Sequence, residues 1–167
     1  MSDPCIEIIQ VNHVFVDLHG SFDDVTALFE RLLGRFDPLL RTTFARDPSL
    51  ANRQRQGMEG GEDLMIFQIL DNVGVFKLIG KTRRARCYTV GNPHITSQMT
   101  WHDIRAGLYA PFNILVVDQG DDTVRIEYDR PSSFLSQFGN AQVSEVAAQL
   151  DSKVERLIGT ARRISRS

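Results

Sequence analysis

The strongest constraint in this sequence is an apolar stripe near its C-terminal end. Val143, Val146, Ala147, Leu150, Val154, Leu157, Ile158, Ala161 and Ile164 recur at helical spacing, along one face of an α-helix of about six turns at 3.6 residues per turn. Asn140 stands just ahead of the stripe, where its side chain can accept from the free N–H groups of a first helical turn. A helix this apolar on one face must lie across a sheet or against a partner, and the rest of the chain must supply that surface.

The preceding residues supply strands. From Ile6 to Leu18 β-branched residues are frequent, and Val14, Val16 and Leu18 alternate with Phe15 and Asp17, the period of a strand. Ser21 followed by Asp24 is a capping pattern. Val25, Leu28, Phe29, Leu32 and Leu33 then mark one helical face, with Gly34 at the position of a left-handed C-terminal cap. Residues 37–63 contain Pro38, Pro48, the polar run Asn52 to Gln56, and Gly57, Gly60 and Gly61. They show no sustained period and read as a long irregular excursion over the surface.

Leu64 to Leu70 has the length and apolarity of a buried strand. Val73 to Gly80 fits either more sheet or a short helix. Cys87 to Val90 reads as a strand stopped by Gly91-Asn92-Pro93, and His94 to Asp103 as a helical turn or two. Ile114 to Val117 and Val124 to Tyr128 flank an Asp/Gly turn cluster and predict an antiparallel hairpin. Pro131 ends it, and a short helix with Phe134, Leu135 and Phe138 follows. The order β-α-β(n)-α predicts an α+β, two-layer fold: a mostly antiparallel β-sheet covered by helices, with a long C-terminal helix. At 167 residues the chain reads as a single domain, 1–167.

Composition excludes classes more than it selects one. Hydrophobic residues make up 42% and charged residues 24%, and 19 Lys and Arg against 21 Asp and Glu leave a net charge of −2, which disfavours disorder and polybasic proteins. Cys5 and Cys87 are too few for a disulfide framework. The N-terminus lacks a basic, then apolar, leader pattern, and no apolar run reaches a membrane-spanning length of about 18 residues. The expectation is a cytoplasmic chain without a membrane partner. Lys81, Arg83, Arg84 and Arg86 form one basic cluster and Lys153, Arg156, Arg162, Arg163 and Arg166 another. No nucleic-acid-binding pattern accompanies them, so they are expected to be charged outer surfaces and no nucleic-acid partner is expected.

Candidate sites lie at predicted strand ends. Gly91-Asn92-Pro93-His94 would place an amide and an imidazole there, although Asn92 also suits a purely structural turn role. Tyr109-Ala110-Pro111 and Glu127 to Pro131 could meet at one end of the sheet, their tyrosines being either ligand contacts or core aromatics with hydroxyls at the rim. Asn92, His94, Tyr109, Glu127 and Tyr128 are thus the expected ligand-binding set. His94 or Glu127 could act as a general acid–base. His94, Met99 and His102 are a weaker metal or haem set, since eight helical residues separate the two imidazoles by about 80° around the axis. Walker, dinucleotide-binding, HExxH and GxSxG motifs are missing, and no cofactor is implied.

Gly91-Asn92-Pro93, Met99, Gly107-Leu108-Tyr109-Ala110-Pro111-Phe112 and Ile126-Glu127-Tyr128-Asp129-Arg130-Pro131-Ser132-Ser133 together resemble the DUF302 family, a domain family without a settled activity. The resemblance extends through Phe138-Gly139 and the last helix. It implies a small α+β domain with an antiparallel sheet and a tendency to dimerise, and it carries no catalytic residue. His94 and the 37–63 segment depart from the family pattern. The expected function is a non-enzymatic homodimeric domain that binds a small ligand or a partner.

Overall fold

The computed structural model describes residues 3–165. Strand β1 spans His13–His19, and helix α1, Phe22–Leu32, begins where the Ser21 hydroxyl accepts from the Asp24 amide at 3.1 Å. Strand β2 is only Gly34–Arg35. Helices α2 (Leu40–Arg46) and α3 (Pro48–Met58) precede β3, Met65–Asp71. Helix α4 (Val73–Phe76) and a 3₁₀ turn (Lys77–Ile79) lead to β4, Ala85–Gly91. Helix α5 (Pro93–Thr100) and a 3₁₀ turn (Ile104–Leu108) lead to the hairpin of β5 (Phe112–Gly120) and β6 (Thr123–Asp129). Helix α6 (Pro131–Leu135) and helix α7 (Ala141–Ile164) follow. The α+β expectation holds: one open sheet of order β1-β6-β5-β4-β3-β2, antiparallel except between β2 and β3.

Alternation along the strands decides the layers. Leu18, Tyr88, Ile114, Val116, Val124 and Ile126 are at most 1% exposed, in one cluster with Phe29 of α1 and Leu150 and Val154 of α7. The stripe of α7 from Val143 to Ala161 is therefore packed within its own chain, Val146 partly and Ile164 beyond it left exposed. Asn140 caps that helix as expected, accepting from the amides of Gln142 and Val143. Because the stripe is satisfied internally, it gives no support to a dimer. The second basic cluster lies on the outer face of α7, where Lys153 and Arg156 meet Asp63 and Glu62; Arg166 lies outside the described residues.

Three local expectations need correction. The first strand starts at His13 instead of Ile6, and Ile6 and Ile8 are exposed. β1 is an edge strand whose partner, β6, ends opposite His13 at Asp129 before Pro131 withdraws a donor. Gly34 is not a left-handed cap. It lies in β2 against the loop after α3, where a Cβ would overlap the Met58 carbonyl oxygen. Residues 37–63 are not irregular: they hold α2 and α3. Pro48 occupies the first turn of α3, where a missing N–H costs nothing, and the Asp47 side chain caps that helix from 2.9 Å. Only Ala51 and Arg55 of α3 are buried, one residue per turn, so the helix leaves no apolar stripe in the sequence.

On the opposite sheet face, Phe15 and Leu70 are about half-exposed, Arg125 pairs with Asp17 at 2.7 Å, and His13 lies 2.8 Å from Asp129 and 3.4 Å from Glu127. The hydrogen bond to Asp129 holds the His13 pKa above its ordinary 6.5. A raised folded-state pKa means that this contribution is complete below pH 6.5 and is lost as pH rises through the folded-state value. The side chain is 54% exposed, so the effect on stability is small. An NMR titration of His13 is expected to give a midpoint above 6.5 that falls back toward 6.5 in Asp129→Asn. An unchanged midpoint in that variant would contradict the assignment.

Candidate functional site

The site is built from the end of β4. Asn92 caps α5, its Oδ1 accepting from the His94 amide at 2.8 Å, and its Nδ2 donates to the Asp63 carbonyl at 2.7 Å and to Glu59 Oε1. Glu59 Oε1 also receives Nη1 of Arg55, four residues earlier at the end of α3. Nε and Nη2 of Arg55 donate to Asn52 Oδ1 at 3.2 and 2.9 Å. Arg55 and Asn92 are 6% and 2% exposed. A charge this deeply buried persists only when paired and a polar amide only when hydrogen-bonded; Arg55 has Glu59 and Asn52, and Asn92 has Glu59, Asp63 and the His94 amide.

Above this floor opens a cavity of about 330 Å³, walled by α3, α5 and α7, within the ordinary size range of small-molecule sites. His94 and Gln98 stand on one wall, 3.3 Å apart through their side-chain nitrogens, and Gln149 and Lys153 on the other. His94 also lines an adjoining, more apolar hollow of about 400 Å³ with Phe44 and Pro48. At the rim, Glu62 and Asp63 both adopt positive φ, 60° and 59°, a conformation costing non-glycine residues about 1 kcal/mol each. Lys153 restrains them, donating to the Glu62 carbonyl at 3.1 Å and to Asp63 Oδ2 at 2.7 Å, and Arg156 holds the Glu62 carboxylate at 2.8 Å.

Of the five residues expected at one sheet end, only Asn92 and His94 are together. Tyr109 packs on Phe134 with ring centroids 5.3 Å apart and lines a separate hollow of about 250 Å³. Tyr128 is a core residue, 5% exposed, and burial pushes its hydroxyl pKa up. Glu127, its neighbour in the strand, necessarily points to the other sheet face, where it meets His13. β6 is also two strands from β4, about 10 Å at ordinary strand spacing. The His94–Met99–His102 set does not converge either. Met99 is fully buried in the core, and His102 lines a different hollow from His94. Among the described residues no group of three His, Cys, Asp or Glu is placed to hold a metal.

Sequence reasoning missed Arg55, Glu59, Gln149 and Lys153. The signals available were two i,i+4 pairs, Arg55 with Glu59 and Gln149 with Lys153. The motif after β6 proves structural. The Ser132 amide and hydroxyl both donate to the buried Asp151 carboxylate of α7, the Ser133 hydroxyl accepts from the Asn12 amide, and Arg130 pairs with Glu155 at 2.7 Å.

An open, mostly antiparallel sheet backed on one face by a long C-terminal helix defines a two-layer α+β protein. The family model for DUF302, a domain of unknown function, matches residues 51–161, and the chain belongs to that family. Every residue lining the 330 Å³ cavity falls inside the matched segment. The crystal structure of an uncharacterized conserved DUF302 protein from Bacillus stearothermophilus is similar in fold, with a TM-score of 0.64 and 13% identity over 90% of this chain and 98% of that one. No curated protein matches the chain. Among the described residues no helix is long and apolar enough to cross a membrane.

Proposed function

We propose that the chain is a binding domain for a small polar molecule, held in the cavity between α3, α5 and α7. The observation that carries this reading is the cavity itself: a buried, hydrogen-bonded floor of Arg55, Glu59 and Asn92 under walls lined by His94, Gln98, Gln149 and Lys153. The floor fixes the shape, and the walls offer donors and acceptors of both kinds. Asn92 has both N–H groups and its carbonyl oxygen engaged within the protein, so it positions the site instead of meeting the ligand. Binding is favoured over turnover because the carboxylates of the lining, Glu59 and Asp63, are held by Arg55, Asn92 and Lys153, and among the described residues the lining offers no hydroxyl or thiol for His94 to activate as a nucleophile.

The test is NMR shift mapping with separate panels of amino-acid zwitterions, dicarboxylates, small amines and nucleosides. One class is expected to move the His94, Gln98, Gln149 and Lys153 resonances together. His94→Ala and Gln149→Ala should each weaken that binding about tenfold. If no class moves these resonances, or if binding survives both substitutions, the reading fails.

A further inference from the structure

The connection between β3 and β4 sets aliphatic and cationic side chains side by side at one end of the sheet. Val75, Leu78 and Ile79 are 57%, 84% and 66% exposed, on α4 and the 3₁₀ turn that Gly80 closes at φ 66°. Residues 72–84 contain Lys77, Lys81, Arg83 and Arg84 and no Asp or Glu. Arg84 is engaged, pairing with Asp23 and lying over the Phe22 ring. Lys77, Lys81 and Arg83 are exposed, and they make no ion pair among the described residues. Asp118 lines the surface hollow beside this loop with Arg83, and the exposed Asp121 and Asp122 follow in the adjoining β5–β6 turn, so acidic groups stand on that side of the loop's cations.

Aliphatic side chains inside a cationic collar are suited to the headgroup layer of an anionic bilayer, where apolar tips reach the acyl boundary and cations meet lipid phosphates. A nucleic acid would need the cations but not the aliphatic tips. A second exposed apolar group, Trp101, Ile104 and Leu108, has beside it a cation already paired, Arg105 with Asp103. It also lies at the opposite end of the sheet, because β4 runs from the 72–84 loop to Asn92. Those seven residues span about 20 Å.

We propose that the 72–84 loop docks on anionic membrane surfaces, with Val75, Leu78 and Ile79 entering the interface and Lys77, Lys81 and Arg83 contacting lipid phosphates. This goes against the expectation, drawn from composition, of no membrane partner. Docking in this orientation leaves the α3–α5–α7 cavity facing water at the far end of the sheet.

The test is co-sedimentation of the full chain with vesicles of phosphatidylcholine alone, and of phosphatidylcholine and phosphatidylglycerol in equal parts. Binding to the mixed vesicles only, weakened by salt, is expected. Replacing Lys77, Lys81 and Arg83 by Gln should weaken it about a hundredfold, near fivefold for each cation removed. Leu78→Ser with Ile79→Ser should weaken it about tenfold. All five positions are exposed, so circular dichroism should show an unchanged fold. No binding to the mixed vesicles overturns the proposal. So does binding that ignores the aliphatic substitutions, or binding to a single-stranded DNA oligomer without binding to vesicles.

Discussion

Gly34→Ala is expected to destabilise this protein by about 3 kcal/mol, the upper end of ordinary overpacking costs, which lowers the melting temperature by roughly 10 °C for a chain of this size. The reason is backbone against backbone. A Cβ at Gly34 meets the Met58 carbonyl oxygen, the Gly60 nitrogen and the Glu59 carbonyl carbon, and a Cβ at Gly60 meets the Gly34 nitrogen in return. No side chain can rotate away to relieve the overlap, so β2 must separate from the loop that carries Glu59. The two amides of this crossing, on Gly34 and Gly60, share the Leu64 carbonyl at 2.9 and 3.2 Å, so separation also breaks hydrogen bonds. The control is Gly57→Ala, where nothing lies within 4 Å of the added carbon. Inside α3 that change should be neutral or stabilising by up to about 1 kcal/mol. Urea unfolding of both variants measures the difference. Equal midpoints would show that the crossing is not tight.

Arg55→Leu is expected to cost about 3 kcal/mol, since it leaves the Glu59 carboxylate, 15% exposed, without its cation. Glu59→Leu should cost a similar amount by stranding Arg55. The double variant should lose clearly less than the sum of the two, because neither buried charge is then left alone. Additive losses in chemical denaturation would mean that the two residues act independently, and the floor of the cavity would have to be described differently. Because Asn92 also donates to Glu59, the Glu59 change is expected to loosen the start of α5. Amide exchange at His94, whose N–H rests on Asn92 Oδ1, should accelerate in that variant.

The two substitutions probe the part of the molecule that the sequence disclosed least. The 37–63 segment carries two prolines, three glycines and a polar run, and by local rules it reads as loop. It is helical because it is the crossover that a parallel pair requires: β2 and β3 run side by side in one direction, and that pairing needs a connection of a dozen residues or more. With β2 only two residues long, no period announces the strand and nothing in the local pattern points to a crossover. The prolines and the polar run are compatible with helix once Ala51, Leu40, Phe36 and Met65 can form a small second core.

The candidate site divides in the same way. Asn92 was legible because a Gly-Asn-Pro sequence at a strand end has local chemistry, a helix cap and a turn, that needs no tertiary information. Its structural role as a cap is one of the two readings that the local chemistry allows, beside a place in a binding site. Tyr109, Glu127 and Tyr128 were grouped with it on the assumption that the ends of different strands converge. Strand alternation separates Glu127 from Tyr128, and the sheet order puts both two strands away from β4. Arg55, Gln149 and Lys153 come to the cavity from helices far apart in the chain, so no spacing in the sequence could connect them.

Periodicity by itself determined the α+β class, the β5–β6 hairpin, α1 with its Ser21 cap and α7 with its Asn140 cap. In each of these the burying face repeats within one element at 2.0 or 3.6 residues. Only the tertiary structure decided that α7 spends its stripe on its own sheet, that 37–63 is a helical crossover, and that Arg55, Glu59 and Asn92 meet beneath a cavity. Those outcomes depend on which elements become neighbours, and that is set by strand order and by a two-residue parallel pairing whose energy comes from distant parts of the chain.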